Sequence, residues 1–191
     1  MNSMKRSRTI VLTALCMIAG TASAHTGDHT ATGFSGGLAH PFMGLDHVLA
    51  MLAIGLWAAQ QGGRALWAVP LAFVGAMVAG GGLAVSGLSL PYVETGIAAS
   101  VLVLGLLIAT RRQWAVATGM GIAAVFALFH GYAHGLEMPQ ATAPALYAMG
   151  FVLATTCLHG VGIVSSLLGR YAVRMAGLGI AATGLALILG M

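Results

Sequence analysis

Along the chain, apolar residues run in long blocks, and the polar residues that interrupt them are confined to short clusters. The interruptions are Gln60-Gln61-Gly62-Gly63-Arg64, the turn from Ser86 to Pro91, Arg111-Arg112, Glu137-Met138-Pro139 with Pro144, and Arg170. A hydrocarbon layer about 30 Å thick takes roughly 20 apolar residues of helix to cross. The blocks therefore predict six spans, over residues 36–59, 65–87, 91–110, 113–134, 143–168 and 172–190. Small residues recur four apart within them, as in Gly75 with Ala79, Ala76 with Gly80, and Gly177 with Ala181, the spacing that lets membrane helices pack closely. The fold predicted is an all-α integral membrane protein, with six transmembrane helices in one compact bundle.

Composition agrees and removes the soluble classes: 59% of the 191 residues are hydrophobic and 6% charged, with a mean hydropathy of +0.94. The net charge of +4 changes meaning once it is located. Lys5, Arg6 and Arg8 precede an apolar run, Ile10 to Ala19, and then Thr21-Ala22-Ser23-Ala24, the order of a cleavable secretory signal peptide over residues 1–24. The mature domain, 25–191, then holds five arginines against four acids, and nucleic acid is not an expected partner. Leu15 before Cys16 is too bulky for lipoprotein processing. Cys157 alone remains in the mature chain, which excludes an internal disulfide or a cysteine zinc site. There is no G-x-x-x-x-G-K nucleotide loop and no coiled-coil heptad pattern.

Arg64, Arg111, Arg112, Arg170 and Arg174 all fall in alternate loops, and cytoplasmic loops retain Lys and Arg. This puts the mature N-terminus and the loops near 88 and 138 outside, as the signal peptide independently requires. A multi-pass membrane protein with its mature N-terminus on the outer side is expected.

The remaining polar residues are chemically biased. Span one carries His40, Asp46 and His47, span three opens with Glu94, span four closes with His130 and His134, Glu137 follows, and span five holds His159. The mature N-terminus adds His25, Asp28 and His29. Polar groups inside a span are costly and mark function. Imidazole with carboxylate suits borderline divalent transition metals such as nickel, cobalt, zinc or copper(II). His130 and His134, four residues apart on one helix face, are placed to chelate one ion, with Glu137 on that face if the helix continues. His40 and His47 share a face, yet seven residues of straight helix separate them by about 10 Å, so they read as successive stations. Pro41 is placed to kink or start the helix and to expose carbonyls near Gly37 as further ligands. The ligands descend from the outer end, His134, His130, His40 and Glu94, through His47 to His159. A free amine at His25, with His29 nearby, would capture the ion outside.

Structural roles compete with these. His159 fits a hydrogen-bonded packing residue, His130 and His134 a helix-end pair meeting headgroups, Glu94 a helix cap, and His25 to His29 a featureless tail. Asp46-His47 resists such a reading, because a carboxylate within a span needs a partner and orienting an imidazole is what carboxylates beside metal sites do. Met51 is a candidate soft auxiliary ligand.

The string HPFMGLDHVLAM at 40–51 and HGYAHG at 130–135, with a signal peptide ending before a histidine and six spans, resemble the HupE/UreJ family of hydrogenase and urease accessory proteins. The resemblance covers the mature chain. It implies a nickel permease of the bacterial cytoplasmic (inner) membrane, with His40, Asp46 and His47 in transport and His130, His134 and Glu94 behind them. The first motif is also similar to the H-x4-D-H signature of nickel and cobalt transporters, but five residues separate His40 from Asp46 here. The function expected is uptake of a divalent transition metal, nickel foremost, for supply to urease or hydrogenase. The rivals are an intramembrane zinc hydrolase, with Glu94 or Glu137 as general base, and a metal-binding accessory subunit that transports nothing alone. The expected partners are the metal ion and the bilayer, with a homo-oligomer or a metallochaperone left open.

Overall fold

A computed structural model describes residues 33–139 and 143–191, and every regular element among them is helical. The signal peptide expected over 1–24, and His25, Asp28 and His29, lie outside the described residues. In chain order the elements are α1 (Gly33–Ala39), a 3-10 turn (His40–Phe42), α2 (Leu45–Gln61), α3 (Ala65–Val85), α4 (Val93–Thr110), α5 (Val116–Leu136), α6 (Pro144–Ser165), a second 3-10 turn (Ser166–Leu168) and α7 (Arg170–Leu189). From α3 onward each helix is long and apolar enough to cross a membrane. The pair α1–α2 adds a sixth crossing if its two arms, bent by 83°, count as one span.

That bend departs from the continuous first span expected over 36–59. Pro41 lacks an N–H and sits in the 3-10 turn. Gly44 follows with extended backbone (φ −113°, ψ 123°) and starts α2 as its N-cap. Asp46 then falls in the first helical turn, where the macrodipole favours a carboxylate.

The interior is built from small and medium side chains around Met51, Ile54, Trp57, Phe73 and Leu104, whereas Trp67, Leu71, Met149 and Leu153 point outward. Large apolar groups on the outside and alanines inside are the arrangement of a bundle solvated by lipid, where close packing rather than water expulsion holds the helices together. α3 packs chiefly on α5, α4 on α7, and α1 and α2 on α6. The crossings interlock glycine on carbonyl in reciprocal pairs. A Cβ on Gly55 would strike the carbonyl of His159, and one on Gly162 the carbonyl of Leu52; Gly37 and Gly150 relate Tyr147 and Phe34 in the same way. Of the small residues expected to pack, Gly80 and Gly177 sit at such crossings, whereas Gly75 has open space beside it.

The two ends of the bundle differ. At one, Gln61 Nε2 donates to the Arg112 carbonyl (3.0 Å), and the Trp114 N–H donates to Gln61 Oε1 (2.9 Å). Gln60 Nε2 donates to the Ile108 carbonyl, and Gln113 Nε2 returns a bond to the Gln60 carbonyl (both 3.1 Å). The α2–α3 and α4–α5 connections, with Arg64, Arg111 and Arg112, therefore share this end. Because Met51 meets Thr155 and, one turn on, Gly55 meets His159, α2 and α6 run parallel, and Arg170 joins that end. About 25 Å away, the length of the 17-residue α2 at 1.5 Å per residue, the carboxylates and most of the described histidines gather at the opposite end.

Candidate metal centre

Gly44 sets the local geometry. An added Cβ there would lie 2.6 Å from Asp46 Oδ1 and 2.8 Å from His47 Nδ1, so only glycine lets these side chains fold back over the start of α2. Asp46 Oδ1 accepts two bonds from its neighbour, the His47 backbone N–H (2.8 Å) and the ring Nδ1–H (2.7 Å). Holding the proton on Nδ1 leaves the lone pair on Nε2, which is buried without a hydrogen-bond partner.

A second imidazole is fixed in the same sense by α4. Ser100 Oγ spends its single proton on the Ile97 carbonyl (2.6 Å). At 2.8 Å from His130 Nε2 it is therefore the acceptor, and the free lone pair of His130 falls on Nδ1, again buried and unpartnered.

His134, one turn further along α5, is the hub. Its ring lies 4.8 Å from that of His40 and 4.2 Å from that of His47 between centroids, and it rests on Phe151 of α6 at 4.0 Å. The His47 ring stands 4.9 Å from that of His130. Glu137, capping α5, places Oε2 2.8 Å from His40 Nε2 and 3.9 Å from His134 Nδ1. One donor atom from each of His40, His134 and Glu137 falls within 4.8 Å of the others, the spacing for a shared metal ion.

A cavity of about 360 Å³ opens onto these groups, bordered by His40, Asp46, His47, Glu94, His134 and Glu137. It brings three carboxylates together, and the arginines of the described chain lie at the far end of the bundle. Buried imidazole nitrogens ordinarily find partners. Here His47, His130 and His134 each keep an unsatisfied nitrogen on neighbouring rings, 4.2–4.9 Å apart between centroids, beside carboxylates, and imidazole with carboxylate suits a divalent d-block cation.

The family described as HupE / UreJ protein matches residues 13–187. The chain belongs to the HupE/UreJ family. It is 43% identical to Protein HupE of Rhizobium leguminosarum bv. viciae over 192 residues, which covers 98% of this chain and 100% of that protein. No solved structure matches the chain.

Of the residues singled out from sequence in this HupE/UreJ chain, His40, Asp46, His47, Glu94, His130 and His134 come together at one end. His159 stands apart from them, buried against Phe73 with ring centroids 5.2 Å apart. His25 and His29 are outside the described residues. The separation argued for His40 and His47 assumed a straight helix. The break at Met43–Gly44 removes that premise and sets both rings beside His134. Gly37, expected to expose carbonyl ligands, serves instead as the point where α1 crosses α6. Sequence reasoning missed Ser100, whose only signal was a hydroxyl in an apolar run, and the Phe151 shelf beneath His134, which carried none.

Proposed function

We propose that this protein takes up a divalent transition metal, nickel foremost, across the bacterial cytoplasmic membrane for delivery to urease or hydrogenase. The observation that carries this reading is the convergence of the His40–His134–Glu137 trio with His47, whose Nε2 lone pair is freed by Asp46. Membership of the HupE/UreJ family supports it, as do the five or six apolar helices around the site.

In this reading the arginine-bearing end faces the cytoplasm and the histidine end faces outward, after removal of residues 1–24. His25 and His29 collect the ion, and Glu94 and Glu137 draw it into the cavity. His40, His134 and Glu137 bind it first. His47 and His130 then exchange for the outer ligands, so that no site holds the ion too tightly to release it, and His159 lies on the inward side.

The test is accumulation of radiolabelled nickel by cells at limiting external metal, repeated with purified protein in liposomes. His47→Ala is expected to abolish accumulation while the protein still inserts in the membrane. Normal accumulation in that variant would remove the α2 histidine from the path. Wild-type liposomes that cleave ester or amide substrates but move no nickel would replace the permease with a hydrolase.

A further inference from the structure

Directly inside the histidine cluster lies a second group of donors. Met51 is one turn beyond His47 on α2, and Thr155 is one turn beyond Phe151, the shelf under His134. Thr155 Oγ1 is 3.4 Å from Met51 Sδ and 3.7 Å from Met77 Sδ. All three residues are fully buried or within 1% of it, and Met51 and Met77 are the two buried methionines among the described residues.

Ordinary packing does not explain the hydroxyl. A threonine in an apolar helix returns its proton to the carbonyl four residues back, as Thr110, Thr156 and Thr183 do here at 2.7–3.1 Å. Thr155 forgoes that bond and aims its oxygen into the bundle at two sulfurs from two other helices. One turn further along α6, His159 is 2% exposed and both its ring nitrogens lack a hydrogen-bond partner. The donors thus continue inward from the histidines as two thioethers with a hydroxyl, and then a bare imidazole.

We propose that Met51 Sδ, Met77 Sδ and Thr155 Oγ1 form a second coordination station that passes thioether-tolerant borderline ions and rejects hard ones. It rests on the permease reading and adds its selectivity step. Thioethers bind nickel, cobalt or cadmium far better than magnesium, calcium or manganese, so an ion leaving the oxygen-rich outer cavity advances only if it accepts sulfur.

Leucine replaces methionine at nearly constant volume, so the double variant Met51→Leu/Met77→Leu removes the donors and keeps the packing. In a Cys157→Ser background, nickel-loaded wild type is expected to show a sulfur shell by X-ray absorption, and the double variant none. Its nickel uptake should fall about tenfold or more, the size seen when support for a metal site is lost, and cadmium should compete less well while manganese competes no worse. Thr155→Val, which preserves shape, should give a smaller loss in the same direction and serves if the double variant fails to accumulate in membranes. A nickel site without sulfur, or leucine and valine variants with wild-type rate and cadmium competition, overturns the station. If wild type moves no nickel, the permease reading fails, and the sulfur shell still decides whether the station exists.

Discussion

Asp46→Asn isolates the contribution of one carboxylate to the metal centre. The replacement keeps size and one oxygen, so the fold around Gly44 is undisturbed, but it removes the charge that receives two N–H groups from His47 at 2.7 and 2.8 Å. Hydrogen bonds to a charged acceptor contribute about 1.5–3 kcal/mol, against about 0.5–1.5 for neutral ones. Each of the two bonds therefore weakens by about 1 kcal/mol, and the grip on the Nδ1–H tautomer loosens with them. A total near 2 kcal/mol corresponds to about thirtyfold, since each 1.4 kcal/mol is tenfold, and this lies inside the 10–100-fold range typical of carboxylates that orient metal-binding histidines. The nickel concentration giving half-maximal uptake is expected to rise by that factor, with a smaller change in the rate at saturating nickel. The assay is initial uptake of radiolabelled nickel over a concentration series, normalised to the amount of protein in the membrane. An unchanged half-saturation at normal protein level would refute the assignment of Asp46 as the group that orients His47.

Other substitutions probe separate parts of the structure. Gly44→Ala forces a Cβ to within 3 Å of both Asp46 and His47. It should lower nickel uptake as severely as loss of Asp46 while the detergent-solubilised bundle keeps its helical circular dichroism; wild-type uptake would show that the turn relaxes freely. Ser100→Ala leaves His130 Nε2 buried without its acceptor and should destabilise the protein by about 1–3 kcal/mol, read as a lower midpoint of thermal unfolding in detergent. Gly55→Leu drives a side chain into the His159 carbonyl and should abolish monodisperse protein on size exclusion. Deleting residues 25–29 should raise the metal concentration needed for uptake without eliminating it.

Much of the fold was legible because lipid imposes a simple rule on length and polarity, and the clusters at 60–64, 111–112 and Pro144 fall at the ends of the observed helices or between them. The α1–α2 break was not. Pro41 and Gly44 are each tolerated inside membrane helices when neighbours satisfy the freed backbone, and what fixes the bend is the seating of Gly37 on α6, a contact more than a hundred residues away in sequence. The members of the site were legible one by one, since buried imidazoles and carboxylates stand out against an apolar background. Their grouping was not, because it depends on the bend. The pairing of His130 with Ser100 spans thirty residues, and no spacing rule connects them. In α3, where ten of 21 residues are glycine or alanine, the small-residue pattern could not say that Gly80 meets a partner and Gly75 does not.

The reciprocal seating of glycine on carbonyl has a mechanical consequence. A backbone oxygen lodged against a bare Cα acts as a detent: sliding one helix along another by a residue would drive that oxygen into the next side chain. Four helix pairs are notched in this way, α1–α6, α2–α6, α3–α5 and α4–α7, so the scaffold is rigid along its length. On the permease reading proposed above, cargo would advance through swivelling side chains inside a stationary frame, without one half of the molecule rocking against the other.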